Sequence, residues 1–584
     1  TLKLAKIDHE AIVLNKKIKK IITESVLSLD TQNQNWAKDL KIEVTQTKDL
    51  NHGDFTCNVA MRLSKMVNMP PLEIAKKIIA TMEAIEGVKK IEAVAPGFIN
   101  IYLAKDEQTK ILNKIIKEND GFATEKKGSK SSILLEFISS NPTGPLHVGH
   151  GRHAAFGDSL ANLLRKAGHE VETEYYINDA GRQIDILLVS ILIRALNKLH
   201  IQVDLPRACY QGEYLNAIAD EVISQSKDLL TTLPATSYLK SEVSEDEEID
   251  LAIVSIKGCI GNDLFESLSS QICDITTHMI KEDLKIFGVT FDHWYSERSM
   301  INNGLITNSI NSLTKKNLLY KNDGALWLKT TKYDDDKDRV VLRDDGRSTY
   351  FASDIAYHAD KKKRGYDQLI DILGSDHHGY IGRLKAGLAS LGFFPKDLEV
   401  VLVQFVSLYR GKKKIQMSTR SGTFIPMSEL YNEVGIDAAR FFYISKSQSQ
   451  HLDFDLELAK QTNNENPVYY IQYAHARICR VLNQTTKQNM PFEKEVAEIN
   501  LEKLITKHEV ELIAKLSGYP ALIQQSANNR TVHTLANYLN DLAQLFHSYY
   551  GAETFLIADK ELRNARLLLI QAVKIILKNG LSII

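Results

Sequence analysis

The sequence predicts an α/β protein with a Rossmann-like core, preceded by an N-terminal unit and followed by a bundle of α-helices. First, an apolar strand, a glycine-rich turn, an amphipathic helix and a second strand follow one another within residues 133–179. Second, the segment 123–132 is rich in Gly, Ser and Lys, which is typical of a linker. Third, only helical periodicity remains after about residue 460. These features predict three domains, 1–122, 130–459 and 460–584.

Composition describes an ordinary soluble protein without a strong overall charge. The chain of 584 residues is 44% hydrophobic and 25% charged, and 72 basic residues against 73 acidic ones leave a net charge of −1. This balance argues against a protein that binds nucleic acid through a general excess of positive charge. No run of 18 apolar residues occurs, so we expect no membrane span.

The N-terminus and the cysteines indicate the cytoplasm. The first residues form a charged amphipathic pattern without an apolar centre or a small-residue cleavage site, so we expect no signal peptide. The cysteines are scattered without a CxxC pair, which predicts neither a zinc site nor a disulfide framework and favours a reducing compartment. We expect all five to be small core residues: Cys57, Cys209, Cys259, Cys273 and Cys479.

The central domain opens with a strand from Ile133 to Ile138, which has the length and branching of a buried strand. Pro142 and Pro145 prevent a helix in the turn that follows. A helix is predicted over about 149–167, and the strand EVETEYYIND completes a βαβ unit, which implies a parallel sheet.

The rest of the domain is assembled from distant pieces. Residues 183–290 are mostly helical, and we expect the acidic run SEDEEID to lie in a solvated loop. The segments LLYKNDGALWLKT and VVLRDDGRSTYF predict two hairpins, and DQLIDILGSDHHGY and DLEVVLVQFVSLYR predict further strands. Four long amphipathic segments after residue 460 predict a C-terminal helical bundle.

The turn between the first strand and its helix carries the clearest chemical pattern, HVGH. A strand, a glycine-rich turn and a helix present unpaired backbone N–H groups and the positive end of a helix dipole to phosphate. His147 and His150, three residues apart at the helix start, can aim ring N–H donors at one anion, and Gly149 leaves room for a flat base. The motif alone leaves two alternatives open, a polar helix start and half of a metal site.

Several segments together identify a family. HVGH resembles the HIGH motif of class I aminoacyl-tRNA synthetases, and EFISSNPTGPLHVGHGRHAAFGDSLANLLRKAGHEVETEYYINDAGRQ is similar to arginyl-tRNA synthetases. The similarity continues, in the family's order and over nearly the whole chain, through GDFTCNVAMRLSK, APGFINIYL, TYFASDIAYHADKKKRGYD, GSDHHGYIGRLKAGL and QMSTRSGTF. The resemblance implies a class I catalytic domain, an N-terminal α+β domain that meets the tRNA elbow, and a helical anticodon-binding domain.

The resemblance also implies a reaction in two steps. The L-arginine carboxylate attacks the α-phosphorus of ATP to give arginyl-adenylate and pyrophosphate, and the 3′-terminal ribose of tRNA(Arg) then takes the arginyl group. ATP is a substrate, Mg²⁺ is expected to arrive with it, and no zinc is expected. The family implies a cytoplasmic monomer whose adenylate formation waits for tRNA, and it leads us to expect a few residues beyond LSII.

Two segments are implied to bind ATP. The first contains the catalytic histidines and consists of Pro145, Leu146, His147, Val148, Gly149, His150 and Gly151. The second, RGKKKIQMSTRSG, resembles the KMSKS loop and would place Met417, Ser418 and Thr419 on ATP, with Ser418 and Arg420 catalytic. Here Gln416 and Thr419 stand where the family motif has lysines. Arg420 or one of Lys412, Lys413 and Lys414 would supply the charge; the alternative for this lysine run is a solvated loop without a ligand.

Recognition of arginine calls for carboxylates and a flat ring, because the guanidinium is planar, charged and rich in donors. The resemblance assigns this role to Glu136, Asn141, Tyr350 and Asp354, with Ser139 and His378 as further contacts. The structural alternatives are a salt bridge for Glu136 and a helix N-cap for Asp354. Adjacent residues of GSDHHGY point in opposite directions, so we interpret that segment as part of the ATP and arginine pocket and not as a metal site.

For tRNA, the first helix of the C-terminal bundle interleaves aromatic and basic residues, as stacking on unpaired bases requires. Tyr473 and Arg477 are the predicted contacts there, although about half of these aromatics are expected to be core residues; Asn100 is the candidate in the N-terminal domain. The competing functions are another class I synthetase, a tRNA-independent nucleotidyltransferase of the same fold, and an inactive paralogue. The last is favoured only by the altered loop at 416–420.

Overall fold

The computed structural model describes the chain except for residues 1–9, 30–41, 48–51, 129, 231, 234–242 and 416–424. The chain forms two compact units. Unit 1 contains Thr1–Thr124, Pro467–Asn529 and Thr534–Ile583, and unit 2 contains Glu125–Asn466, Arg530–His533 and Ile584. None of the described helices is long and apolar enough to cross a membrane.

The N-terminal part of unit 1 is an antiparallel sheet with helices packed on it. Its strands are β1 (Val44–Gln46), β2 (Phe55–Cys57), β3 (Val88–Val94) and β4 (Phe98–Leu103), in the order β1-β2-β4-β3. Its helices are α1 (Glu10–Leu27), α2 (Val59–Val67), α3 (Pro71–Thr81) and α4 (Lys105–Glu118). Ile22, Leu63, Ile78 and Ile101 belong to the apolar core between them. This is the α+β arrangement that the resemblance implies.

Unit 2 is built on a parallel sheet of five strands. The strands of unit 2 are β5 (Ser132–Glu136), β6 (Glu170–Ile177), β7 (His293–Ser296), β8 (Leu319–Asn322), β9 (Ala325–Leu328), β10 (Arg339–Leu342), β11 (Gln368–Gly374), β12 (Leu398–Val403), β13 (Val406–Arg410), β14 (Lys413–Lys414) and β15 (Leu452–Asp455). The parallel sheet has the order β12-β11-β5-β6-β7. The chain therefore runs outward from β5 to β7 and then returns to the other side of β5, which confirms the Rossmann-like prediction.

Helices surround this sheet. They are α5 (Val148–Lys166), α6 (Arg182–Lys198), α7 (Leu215–Leu230), α8 (Glu245–Ile260), α9 (Asn262–Ile286), α10 (Glu297–Asn302), α11 (Leu305–Lys315), α12 (Tyr350–Lys363), α13 (Ile381–Leu391), α14 (Met427–Val434), α15 (Ile436–Ile444) and α16 (Leu456–Lys460). The four helices from α6 to α9 enclose their own apolar core, which includes Leu188, Leu192, Ile256 and Phe265.

Unit 1 is completed by C-terminal helices: α17 (Pro467–Lys487), α18 (Lys494–Glu498), α19 (Lys507–Ser517), α20 (Tyr519–Asn529), α21 (Val532–Ala552) and α22 (Lys560–Ile583). Helix α4 packs against α19 and α22, and Lys578 forms an ion pair with Asp120 at 2.9 Å. The two compact units change between Thr124 and Glu125 and between Asn466 and Pro467, and the first and last parts of the chain belong to the same unit. The three domains 1–122, 130–459 and 460–584 stay a prediction.

Three details differ from the sequence-based expectations. The acidic run begins helix α8, where Ser244 caps the helix and Glu245, Asp246, Glu247 and Glu248 occupy its first turn. Acidic side chains stabilise a helix there because they face the positive end of its dipole. The two predicted hairpins form a single sheet of order β10-β9-β8. All five cysteines are free, but Cys259 is exposed and Cys479 is half-buried, so only three are buried core residues.

Gly157 in α5 provides a test of how closely this helix packs on the sheet. A Cβ atom at Gly157 would lie 2.3 Å from the ring of Phe137, which is fully buried. We expect Gly157→Ala to lower the free energy of unfolding by about 1–3 kcal/mol, because the ring has no space to move. Gly258→Ala on the open face of α8 is the control, since nothing lies within 4 Å of its Cβ position; it should be neutral or stabilising by up to about 1 kcal/mol. Thermal unfolding followed by circular dichroism measures both, and equal effects would contradict the packing.

Candidate active site

The parallel sheet forms a crevice where its strand order reverses, between β5 and β11. Strand β5 ends at Glu136 and continues through the turn to α5, and β11 ends at Gly374 and continues into a 3₁₀ turn, Ser375–Tyr380. Ligands of open α/β sheets bind at the carboxyl ends of the strands at such a reversal. HVGH and GSDHHGY, which are 225 residues apart in the chain between His150 and Ser375, both follow strands that end at this crevice.

His147 and His150 begin α5 as a reciprocal cap. His147 Nδ1 accepts the backbone N–H of Gly149 at 3.0 Å, and His150 Nδ1 accepts the backbone N–H of His147 at 3.3 Å. A nitrogen that accepts a hydrogen bond carries no proton in a neutral imidazole, so in both rings the proton belongs on Nε2. The cap thus fixes the tautomer and makes Nε2 the donor atom of each histidine.

Both histidines are neutral at pH 7. Their rings are stacked, with centroids 3.7 Å apart and planes inclined by 18°. Burial lowers the pKa of His147, and burial together with the neighbouring His147 lowers the pKa of His150 well below its usual value. The pair therefore offers neutral hydrogen-bond donors to an anion, and any full positive charge has to come from other residues.

The segment around HVGH is joined to the chain that follows the KMSKS-like loop. Met427 N–H donates to the carbonyl of Leu146 at 2.7 Å, and Val148 N–H donates to the carbonyl of Ile425 at 3.1 Å. Ile425 and Met427 therefore lie directly beside the start of α5. Gln416, Met417, Ser418, Thr419 and Arg420 themselves lie outside the described residues. The predicted alternatives Lys412, Lys413 and Lys414 are exposed just before the loop.

The two glycines of the motif are required by close contacts. A Cβ atom at Gly149 would lie 2.8 Å from Cε1 of His147, and one at Gly151 would lie 2.6 Å from the hydroxyl oxygen of Tyr443. Tyr443 is buried and donates a hydrogen bond to the carbonyl of Val148 at 2.7 Å. Pro145 is half-buried in the turn before them. These contacts keep the start of α5 in place.

Three carboxylates lie side by side across the sheet. Asp371 on β11 is in register with Glu136 on β5, and Glu136 is in register with Glu174 on β6. Neighbouring strands are about 4.8 Å apart, so like charges in such a row repel one another. All three side chains are buried.

Helix α12 compensates these charges. Lys361 donates to Glu136 and, at 2.9 Å, to Asp371; His358 Nε2 lies 2.6 Å from Asp371. Tyr357 donates to Glu136 at 3.0 Å and to Glu174 at 2.7 Å. Arg364, just beyond the helix, holds Glu174 with two hydrogen bonds of 2.6 and 2.9 Å.

The pKa shifts follow from this arrangement. Burial opposes the charged forms of Asp371 and Glu174, but Lys361 beside Asp371 and Arg364 beside Glu174 outweigh it, so both pKa values lie below the usual range. Burial also disfavours a charged His358, yet Asp371 raises its pKa above the usual value. Three carboxylates therefore face three cationic groups.

A second acidic pair, Asp354 and Glu297, lies beside this cluster and is called the acidic pocket below. Burial raises the pKa of Asp354, whose carboxylate accepts a hydrogen bond from the Tyr380 hydroxyl. Burial, together with repulsion from Asp354 and Asp179, raises the pKa of Glu297 to about 7 against an opposing hydrogen bond from Tyr176. Among the described residues, no lysine or arginine forms an ion pair with Asp354 or Glu297. The pocket is therefore suited to a cation from outside.

The residues predicted to bind arginine are distributed unevenly around these pockets. Ser139 donates to Glu136 at 2.8 Å, and Asp354 belongs to the second pocket; the N-cap of α12 is Thr349, so Asp354 is no cap. The Asn141 amide lies 3.0 Å from that of Asn178 at the exposed start of the turn. Glu136 forms the predicted alternative, a salt bridge, with Lys361.

Two predicted arginine contacts are exposed side chains, and their binding role stays a prediction. Tyr350 is 74% exposed at the first position of α12, and His378 is exposed in the 3₁₀ turn after β11. A further aromatic ring at the acidic pocket is Tyr380, whose hydroxyl donates a hydrogen bond to Asp354. The sequence alone does not distinguish Tyr350 at the start of α12 from Tyr380 in the turn after β11 as the ring beside Asp354. Only the packing of α12 against that turn distinguishes them.

Sequence reasoning missed several members of the site: Glu174, Glu297, Lys361, Arg364, Asp371 and Tyr380. Asp371 gave a signal, because a charged residue inside the apolar strand QLIDILG requires a buried partner. Lys361 gave none, since it lies in the run KKKR, which is typical of a solvated helix end.

The segment GSDHHGY borders both sides of the crevice. Asp376 and His377 contribute to the electrostatic surroundings of His153 on α5, whose pKa is lowered to about 4, chiefly by burial and by Arg152. Tyr380 at the other end reaches Asp354. This placement agrees with the interpretation of the segment as part of a joint pocket.

One group of side chains in the described part of the chain has the spacing of metal ligands, Glu136, His358 and Asp371. The Lys361 ammonium donates hydrogen bonds to two of the three. A cation of the protein itself already occupies this position, so the group does not fit a metal ion.

The predicted tRNA contacts lie in unit 1. Arg477 on α17 lies 4.3 Å from the ring centre of Tyr473 and 4.8 Å from that of Tyr550, and its guanidinium is 3.1 Å from His547. The two predicted residues therefore form one half-buried cluster with α21. Asn100 is only 3% exposed and accepts a hydrogen bond from Thr56, so its buried side chain does not offer the predicted contact to RNA.

Comparisons with known proteins cover the whole chain. Three family models match: "Arginyl tRNA synthetase N terminal domain" over residues 13–103, "tRNA synthetases class I (R), catalytic domain" over 110–455, and "DALR anticodon binding domain" over 471–584. The arginine–tRNA ligase of Coxiella burnetii is 44% identical over 98% of this chain and 97% of its own length. That of Hydrogenovibrio crunogenus is 43% identical over 98% of each chain. The arginyl-tRNA synthetase structure from Thermus thermophilus superposes with a TM-score of 0.74 at 20% identity, over 98% of each chain, and shares the fold.

The raised pKa of Glu297 predicts that the acidic pocket loses cation affinity in acid. Below about pH 7 its carboxylate takes up a proton, so L-arginine should bind more weakly as the pH falls from 8 to 6, by up to about tenfold per pH unit. In Glu297→Gln, binding should be weak and nearly independent of pH in this range. Isothermal titration calorimetry measures both, with Glu282→Gln on the surface of α9 as the matched control. Wild-type affinity in Glu297→Gln would exclude the pocket as the cation site.

Proposed function

The chain belongs to the arginyl-tRNA synthetase family, and from this premise we propose how the residues at the carboxyl end of its sheet divide the work. The protein is an arginine–tRNA ligase, with arginine, ATP and tRNA(Arg) as substrates. The single observation that carries the proposal is the pair of pockets, one with a neutral donor pair at HVGH and one with carboxylates that lack an internal cation.

Arginine is proposed to bind in an extended form along the crevice. Glu136 follows β5 directly before the turn to HVGH, so we assign it the α-ammonium group, with Ser139 and Asn141 as neighbouring polar contacts. Asp354 and Glu297 take the guanidinium. Glu297 follows β7, which is two strands from β5 and thus about 10 Å away. This refines the sequence-based interpretation, which placed Glu136 on the guanidinium.

ATP is proposed to bind at HVGH with its phosphates on the Nε2–H groups of His147 and His150. Charge develops on phosphate oxygens as the arginine carboxylate attacks the α-phosphorus, and fixed donors stabilise it without rearrangement. Because these donors are neutral, we assign the positive charge to the loop after β14, through Arg420 or one of Lys412, Lys413 and Lys414. Ser418, Met417 and Thr419 would contact the nucleotide from the same loop.

The second step uses the same crevice. The terminal ribose hydroxyl of tRNA attacks the carbonyl carbon of arginyl-adenylate, an ester bond forms, and AMP leaves. We propose that Mg²⁺ arrives with ATP and is held mainly by its phosphates. Tyr473 and Arg477 are proposed to meet the tRNA, and the enzyme is proposed to act as a monomer in the cytoplasm, as family membership suggests.

Exchange of pyrophosphate into ATP, followed with each amino acid in turn and with and without tRNA(Arg), tests this assignment. Of the amino acids tested, only arginine should support exchange, and it should do so only in the presence of tRNA(Arg). Exchange with another amino acid would contradict the specificity, and exchange without tRNA would contradict the order of binding.

His150→Ala tests the neutral donor at the motif. We expect kcat of the exchange to fall by about 10²–10³-fold, because one preorganised donor to the developing charge is lost, while the KM for arginine stays within about twofold. His278→Ala, on the exposed face of α9, is the matched control and should retain full activity. A near-normal kcat in folded His150→Ala would remove this histidine from the catalytic group.

A further inference from the structure

Lys361 is a lysine enclosed by the sheet. Its side chain is 1% exposed, and its ammonium lies between Glu136 and Asp371 while resting 4.2 Å from the ring centre of Tyr357. An ionised lysine is seldom buried unless it is paired, because the cost of removing it from water is large. The structure thus places a full positive charge directly behind the proposed arginine site.

The hydrogen bonds around Glu136 leave one of its oxygens open. Oε2 accepts from both Tyr357 and Lys361, and Oε1 accepts from Ser139 at 2.8 Å. Each carboxylate oxygen can accept about two hydrogen bonds, so Oε1 retains one position for a ligand. Lys361 and Tyr357 together fix which oxygen faces the crevice.

We propose that Lys361 is a positioning residue for the substrate: it holds Oε2 of Glu136 and so turns Oε1 towards the α-ammonium of arginine. The inference rests on the proposed role of Glu136. Lys361 does not touch the substrate and acts only through this carboxylate.

Among the described residues, no other cation is available for this role. The groups that face Glu136 come from each packed element, and they are Asp371 on β11, Glu174 and Tyr176 on β6, and Asp354, Tyr357, His358 and Lys361 on α12. Arg364 is occupied by Glu174 and His358 by Asp371. Without Lys361, the Glu136 carboxylate would lie between two others in a buried row, and no lysine or arginine in the described part of the chain would hold its Oε2.

The test separates positioning from folding by comparing the two substrates. In Lys361→Met, we expect the KM for arginine to rise at least about tenfold, because Oε1 of Glu136 is no longer held towards the α-ammonium. The KM for ATP should stay within about twofold. Lys363→Met, two residues on and exposed, is the matched control and should behave like the wild type. The assay is tRNA-dependent pyrophosphate exchange with the full chain.

Loss of a buried ion pair strongly destabilises a protein, so a second, milder variant accompanies Lys361→Met. Tyr357→Phe keeps the ring and removes only the hydroxyl that lies between Glu136 and Glu174, and it should give a smaller rise in the KM for arginine with no change in the KM for ATP. Thermal unfolding of each variant shows which of them is folded. If Lys361→Met does not fold, Tyr357→Phe decides.

The two proposals fail in different ways. If Glu136→Gln leaves the KM for arginine unchanged, the role of Glu136 itself is wrong. If Glu136→Gln raises that KM, but the folded Lys361 or Tyr357 variant shows a normal KM for arginine, or equal rises in the KM for ATP and for arginine, the positioning role is overturned while the site remains.

Discussion

The row of carboxylates across β11, β5 and β6 is the constraint on which the rest of the catalytic unit depends. Asp371, Glu136 and Glu174 are adjacent in register on neighbouring parallel strands, and all are buried. Such a row is stable only if cations and hydroxyls cover it. Helix α12 must therefore lie across these strands with Lys361 over the middle of the row. That position in turn brings Asp354, about two turns earlier in the same helix, to the second acidic pocket.

The ATP side depends on backbone pairing instead of buried charge. Hydrogen bonds from Met427 to Leu146 and from Val148 to Ile425 connect the start of α5 to the chain just before α14. Because both histidines are neutral, they offer hydrogen-bond donors without a full positive charge.

The sequence predicted those parts of the site that local pattern determines. Strand β5, the turn, α5 and the two histidines follow from apolar periodicity, prolines and glycines within a short segment. The ion cluster could not be predicted in this way, because the register of Asp371 with Glu136 depends on strands more than 200 residues apart. Tyr350 and Tyr380 show the same limit of sequence-based prediction. Tyr350 is on the same helix as Asp354, but the packing of the turn after β11 places the hydroxyl of Tyr380 on the Asp354 carboxylate. The acidic residues before α8 suggested a loop because a helix start and a solvated segment share that composition.

The contrast between the two carboxylate sites gives a physical basis for choosing arginine over lysine. In the proposed function, the α-ammonium, which every amino acid carries, binds at Glu136, and it gains only a moderate advantage there because Lys361 is already paired with this carboxylate. Among the described residues no lysine or arginine pairs with Asp354 or Glu297, and the pKa of Glu297 near 7 means that this pocket retains a proton part of the time. A planar guanidinium can donate to both carboxylates at once and replace that proton. A lysine ammonium is a compact point charge that cannot match two separated acceptors in this way, so one carboxylate would stay protonated or unpaired, and binding of lysine would be weaker.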